Sequence, residues 1–211
     1  MRLQVANIAC RRSERLIFND ISFALGPGEA LAVTGRNGAG KSTLLAVLAG
    51  RLRPAEGSIR VEGVGEKSLQ ECLHLVGHTD ALKGALTAEE NLAFARDLLG
   101  DPVMAPRDAL AAVGLANAAA LPVAYLSAGQ RRRVALARLL VARRPLWLLD
   151  EPTAALDAGS QEMLAGLMDR HLGEGGLIIA ATHQPLGPTV KEVRIERALS
   201  MPLAARTGVA P

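Results

Sequence analysis

The chain has 211 residues, 49% of them hydrophobic and 21% charged, which fits one compact domain with a sizeable core and excludes a disordered or fibrous chain. Its 24 basic and 21 acidic residues leave a formal charge of +3, too mild to indicate nucleic acid by itself although the isoelectric point is near 9.2. Aromatic residues make up 2%, so Leu, Val, Ile and Ala must build the core, and Cys10 and Cys72 lack metal-type spacing, as in a reduced cytosolic chain with two incidental thiols.

The N-terminus, from Met1 to Arg12, has no apolar run between Arg2 and Arg11 that could serve as a signal-peptide core. "SFAL" and "EALAVTG" read as strands, the second running into glycines and then the helical pattern "KSTLLAVLAGRL". "GSIRVEG", Gly57 to Gly63, alternates apolar and polar positions between glycines and predicts an exposed-face strand. "CLHLVG" is a further short strand.

From Thr87 the pattern turns helical, with Glu90 three residues after Thr87 in capping-box spacing. Helix is expected to dominate to Leu140, with small packed helices around Ala109 to Ala120. The most membrane-like window, Ala109 to Leu126, is mostly alanine and is broken by Asn117 and Pro122, so it should not span a bilayer. Any membrane role would come through a partner. "PLWLLD" and "GLIIAAT" then read as strands buried on both faces of a parallel sheet, and residues 199–211 as a weakly ordered tail. The order predicts a single domain over 1–211, a parallel-sheet nucleotide core carrying a helical insertion of roughly Thr79 to Arg133.

The chemistry begins at "GRNGAGKST": Gly35, Arg36, Asn37, Gly38, Ala39, Gly40, Lys41, Ser42 and Thr43. This is the P-loop pattern, in which glycines let backbone N–H groups close on phosphate oxygens and the next helix adds its positive dipole end. Lys41 can reach the terminal phosphates of a nucleotide and the Ser42 hydroxyl can ligate magnesium. The strand before and helix after outweigh the alternative of a plain glycine-rich turn. Asp150, ending a second apolar strand, is placed to bind magnesium through water, and Glu151 to orient or deprotonate the attacking water. His183 follows the last buried strand, where it could contact a γ-phosphate; His74 and His171 have no such support.

"LSAGQ", Leu126, Ser127, Ala128, Gly129 and Gln130, closely resembles the signature motif of ABC ATPases, and its spacing to "GRNGAGKST", "LLDEPTAALD" and His183 matches that family from end to end. The resemblance implies a P-loop NTPase core of the RecA-like α/β kind, with N-terminal antiparallel β elements and an inserted α-helical signature subdomain. It implies ATP and Mg2+ as ligands, and a head-to-tail homodimer, or paired ATP-binding subunits, in which Ser127 and the N–H groups near Gly129 contact the partner's ATP. Ala155, Leu156 and Asp157 look like the dimer-contact loop.

The chain departs from the family pattern at three places. Ala128 stands where the family usually has glycine, a change that costs little at a helix start with negative φ. The coupling loop's glutamine falls at His78 or Thr79, neither of which is an amide. No aromatic residue is available to stack on adenine, and Arg11 or Arg12 offers a guanidinium plane instead.

Within the family the chain most resembles the ATP-binding subunits of cytochrome c maturation transporters, the heme exporter ATPases. That implies integral membrane partner subunits, a peripheral position on the cytoplasmic face of a bacterial inner membrane, and a role in heme delivery, release or export. With no CxxCH and no heme ligand pair, direct heme binding is not expected. The alternatives are the ATPase of another small-molecule transporter and a nucleic-acid-associated ABC ATPase, whose coiled coil or second ATP domain would not fit in 211 residues. Arg131, Arg132 and Arg133 are accordingly read as a positive field near ATP and as salt-bridge partners on a helix surface, with no direct nucleic acid bound.

Overall fold

The computed structural model describes residues 1–12, 15–183 and 190–195; the expected tail at 199–211 lies outside them. Two long strands, β1 (Arg2–Arg12) and β2 (Arg15–Leu25), pair antiparallel, and β4 (Glu56–Glu62) joins the other edge of β1. Between them in sequence lie β3 (Ala30–Thr34) and α1 (Lys41–Leu48). The chain continues through β5 (Leu73–Val76), α2 (Ala88–Leu99), α3 (Pro106–Ala112), α4 (Ala128–Val141), β6 (Leu146–Asp150), α5 (Ala158–Gly173), β7 (Leu177–Ala181) and β8 (Lys191–Arg194). The second sheet is parallel throughout, in the order β5-β6-β7-β3-β8.

The expected α/β architecture is thus present, with its antiparallel N-terminal sheet and helical insert. β6 and β7 are buried along their whole length because each strand supplies both faces of the parallel sheet. Leu146, Leu148, Leu177 and Ile179 join one core with Leu31, Leu44, Leu48, Phe18 and Ile8, under the antiparallel sheet and α1. Trp147, Leu149, Ile178 and Ala180 point the other way and join Leu92, Leu110, Leu136 and Leu164 from the helices. The period of two along each strand therefore divides the molecule into two cores on either side of one sheet.

Helix starts in the insert are set by local chemistry. Thr87 caps α2: its hydroxyl accepts from the Glu90 N–H at 3.1 Å, while the Glu90 carboxylate accepts from the Thr87 N–H at 2.8 Å. Ser127 and Gln130 repeat the arrangement at α4, at 3.2 and 2.8 Å. Pro106 begins α3, where its missing N–H is no loss.

Two histidines without support as functional residues have structural places. His171 stacks on Trp147 with centroids 3.9 Å apart and donates to the Pro145 carbonyl at 3.2 Å. His74, in β5, is buried and donates from Nε2 to the Ala142 carbonyl at 2.9 Å. Burial, aided by the nearby Arg144 and Arg138 charges, pushes its pKa from the ordinary 6.5 down to about 4. The unfolded chain therefore takes up a proton that the folded chain refuses, so stability is complete above the unfolded value and falls as pH drops toward 4. His74→Gln, which keeps a donor for Ala142, should lose roughly 2 kcal/mol less stability than the parent between about pH 7 and pH 5 in denaturant titrations.

Candidate nucleotide site

The register of the parallel sheet sets the site. Asp150 lies opposite Ala181, and Ala181 opposite Val33, so the carboxyl ends of β6, β7 and β3 finish level with one another. The segments that leave these ends are Glu151 onward, Thr182–His183, and the loop from Gly35 to Thr43. Crevices at the carboxyl ends of parallel strands are where such sheets place ligands.

The loop into α1 requires glycine at two points. Gly35 has φ 138° and a Cβ there would collide with the Ile195 carbonyl oxygen; Gly40 has φ 116° and a Cβ would come within 2.7 Å of Ile17 Cγ2. A side chain is excluded at both by conformation and by space. Ala39 is buried and donates to the Arg36 carbonyl at 3.0 Å, while Arg36, Asn37 and Gly38 form the exposed crown. Gly40 is the N-cap of α1 and no side chain caps that end, which leaves the first N–H groups of the helix for an anion.

Lys41 is 7% exposed. Its ammonium donates to the Gly35 carbonyl at 3.1 Å and to His183 Nε2 at 2.9 Å, and lies 3.8 Å from Glu151 Oε1. His183 Nε2 is also 2.7 Å from Asn37 Oδ1 and 3.3 Å from Glu151 Oε1. One ring nitrogen cannot serve all of these. Bare, it accepts from Lys41; protonated, it donates to Asn37 or Glu151. The structure thus brings together Lys41, Asn37, Glu151 and His183, from three places in the sequence.

Asp150 is buried at the end of β6, and Ser42 lies exposed in the first turn of α1. These are oxygen donors of the kind magnesium takes. Glu151 has φ 44° and its N–H donates to the Ala181 carbonyl at 2.9 Å.

The signature segment forms a second group. Leu126 is buried, Ser127 is the exposed N-cap of α4, and Ala128 and Gly129 open the helix. Ala128 is not among the residues with positive φ, so its methyl sits without backbone strain. A Cβ at Gly129 would meet the Ala155 carbonyl oxygen at 3.0 Å. The signature therefore abuts the Ala155–Leu156–Asp157 turn, in which Ala155 has φ 62°, Leu156 is buried and Asp157 caps α5 through the Ser160 N–H at 2.8 Å. Hydrogen bonding to Ser160 holds the Asp157 carboxyl below its usual pKa.

His78 and Thr79 are exposed on the loop after β5, whose last residue, Val76, pairs with Leu149 beside Asp150. Arg11 and Arg12 are exposed at the end of β1. The structure corrects the surface reading of the three arginines. Arg131 donates to the Leu126 carbonyl and Arg133 to that of Val113, so both serve backbone oxygens rather than surface carboxylates. Arg132 is 3% exposed, on the same helical stripe as Ala135, Leu136 and Leu139. Spacing alone did not single it out, because Arg131 and Arg133 also stand three and four residues before buried apolar positions; the phase of α4 against the helical core decides which arginine points inward.

The model of the family described as ABC transporter matches residues 18–154. A cytochrome c biogenesis ATP-binding export protein CcmA of Rhodopseudomonas palustris (strain HaA2) is 55% identical over 92% of this chain and 98% of its own. The protein of the same name from Agrobacterium fabrum is 49% identical over 99% of this chain and 98% of its own. Among solved structures, the dimeric ATP-binding cassette MJ0796 bound to ADP and Pi superposes with a TM-score of 0.79 at 23% identity, covering 92% of this chain and 97% of that one. An ABC transporter ATP-binding protein from Pyrococcus furiosus gives 0.80 at 23% identity, over 92% and 98%. The chain belongs to the ABC transporter family of ATP-binding proteins and, within it, to the CcmA group.

Proposed function

We propose that this chain hydrolyses ATP at the Lys41–Glu151–His183 cluster and thereby powers an export transporter that serves cytochrome c biogenesis, through delivery, release or export of heme. The convergence of those three side chains at the mouth of an uncapped helix carries the enzymatic half. The near full-length relatives carry the biological half.

Phosphate oxygens enter the ring of N–H groups between Gly35 and Thr43, and Lys41 turns to the terminal phosphates from its present carbonyl and imidazole partners. That frees Glu151 from its ion pair to take a proton from the attacking water. His183 holds the γ-phosphate and that water. Ser42 would hold magnesium directly and Asp150 through water; the ion would orient the phosphate oxygens and shield their charge. Negative charge that develops on the phosphoryl group meets Lys41 and the helix N–H groups.

A second ATP-binding subunit completes the site. Ser127, Ala128, Gly129 and Gln130 at the start of α4 offer their donors to ATP on the partner, and Ala155, Leu156 and Asp157 make the subunit contact. The chain acts from the cytoplasmic face of the inner membrane, peripherally; among the described residues no helix is long and apolar enough to cross a membrane. Integral membrane subunits therefore handle the cargo, and the chain itself neither binds heme nor nucleic acid.

Affinity purification from membranes tests the assembly: cytochrome c maturation subunits should co-purify, and membrane subunits of a different transporter in their place would refute the biological half. Glu151→Gln should retain ATP binding and lower turnover on the order of 100-fold or more; unchanged hydrolysis would remove the base assignment. Ala128→Gly should leave ATP turnover within about twofold, because removing the methyl relieves no strained φ and the residue lies at an exposed helix start.

A further inference from the structure

We propose that Arg132 is a positioning residue for Glu151, and that through it the loop after β5 and the signature helix set the aim of the hydrolytic carboxylate. This rests on the reading of Glu151 as the base.

The guanidinium of Arg132 is buried, with its side chain 4% exposed, and it forks between two loops. One terminal nitrogen donates to the Gly77 carbonyl at 2.7 Å and to Asp80 Oδ1 at 3.3 Å. The other donates to the Asp150 and Glu151 carbonyls, each at 2.8 Å. Gly77 and Asp80 flank His78 and Thr79, so the fork ties that loop to the two residues on which magnesium and water chemistry would depend.

Glu151 needs such support. Its φ of 44° is left-handed, a conformation that a residue with a Cβ holds only when its surroundings impose it. They do so at both ends of its peptide: the N–H donates to Ala181, and the C=O accepts from Arg132 and from the Ala154 N–H at 3.1 Å. This backbone sends the side chain to Lys41 and His183. Losing Arg132 would leave the buried Asp150 carbonyl and the part-buried Glu151 carbonyl without their charged donor and allow Glu151 to relax toward negative φ, away from the cluster. The planar fork matters as well as the charge. A lysine at 132 has one nitrogen and cannot reach both loops with parallel bonds.

The experiment measures ATP affinity and steady-state turnover in the purified full-length protein carrying Arg132→Gln, Arg132→Lys or Glu151→Gln. Both Arg132 variants should lose kcat by on the order of 10- to 100-fold while KM and ATP affinity stay within about threefold. Adding Arg132→Gln to Glu151→Gln should lower turnover little further, since the carboxylate being aimed is gone. Parent-like kcat in Arg132→Gln, or full rescue by lysine, would overturn the proposal. So would loss of ATP affinity in step with turnover in both variants, which would leave Arg132 only holding the fold. If Glu151→Gln itself hydrolyses ATP normally, the base assignment fails instead, and the two failures are told apart.

Discussion

An ammonium group with so little of its surface in water needs partners on every side, and Lys41 draws them from three loops far apart in sequence: Gly35, Glu151 and His183. Satisfying that one cation requires the ends of β3, β6 and β7 to finish at the same height. A parallel sheet with Val33, Ala181 and Asp150 in one row meets the requirement, and a slip of one residue in either pairing would turn Asp150 or the P-loop away. Much else follows from keeping the row level. The strands are short and apolar up to their carboxyl ends, their two faces are covered by separate cores, and the antiparallel sheet brings Ile17 and Phe18 against Gly40.

The helices answer a different demand. Their core, around Leu92, Leu110 and Leu136, packs on the opposite face of the sheet from α1. One continuous helix, α4, runs from the exposed serine at its N-cap to Val141 in that core. The same rod thus has one end at the exposed signature serine, which we propose faces ATP on a second subunit, and its flank against the strand end that carries Asp150. Rigid elements of this kind transmit displacement because packed cores shift as units rather than bend.

Much of this was legible in the residues. The glycine-rich loop announced itself because a phosphate cradle needs Gly at fixed spacing, and the structure adds the reason at Gly35 and Gly40: the chain passes Ile195 and Ile17 too closely for any Cβ. Thr87 and Glu90 marked a helix start because a capping box depends on four consecutive residues alone. Ser127 and Gln130 carry the same spacing, and it was masked by their more conspicuous role in the signature. Side-chain direction was the harder matter. Arg132 looked like its neighbours because charge is read residue by residue, whereas burial depends on the helical phase relative to a core assembled from distant segments. The long-range meeting of His183 with Asn37 was hidden for the same reason: they are 146 positions apart and meet only through strand register.

The close approach of Gly129 to Ala155 has a mechanical meaning. A Cβ at position 129 would lie 3.0 Å from the Ala155 carbonyl oxygen, so the donor end of α4 and the turn that leads into α5 pack closely against each other. A neighbouring subunit would consequently meet one hard ridge instead of two independent loops. The Ala155 turn departs from the end of β6 that carries Asp150, so a load on the ridge has a short path through the chain to that strand end.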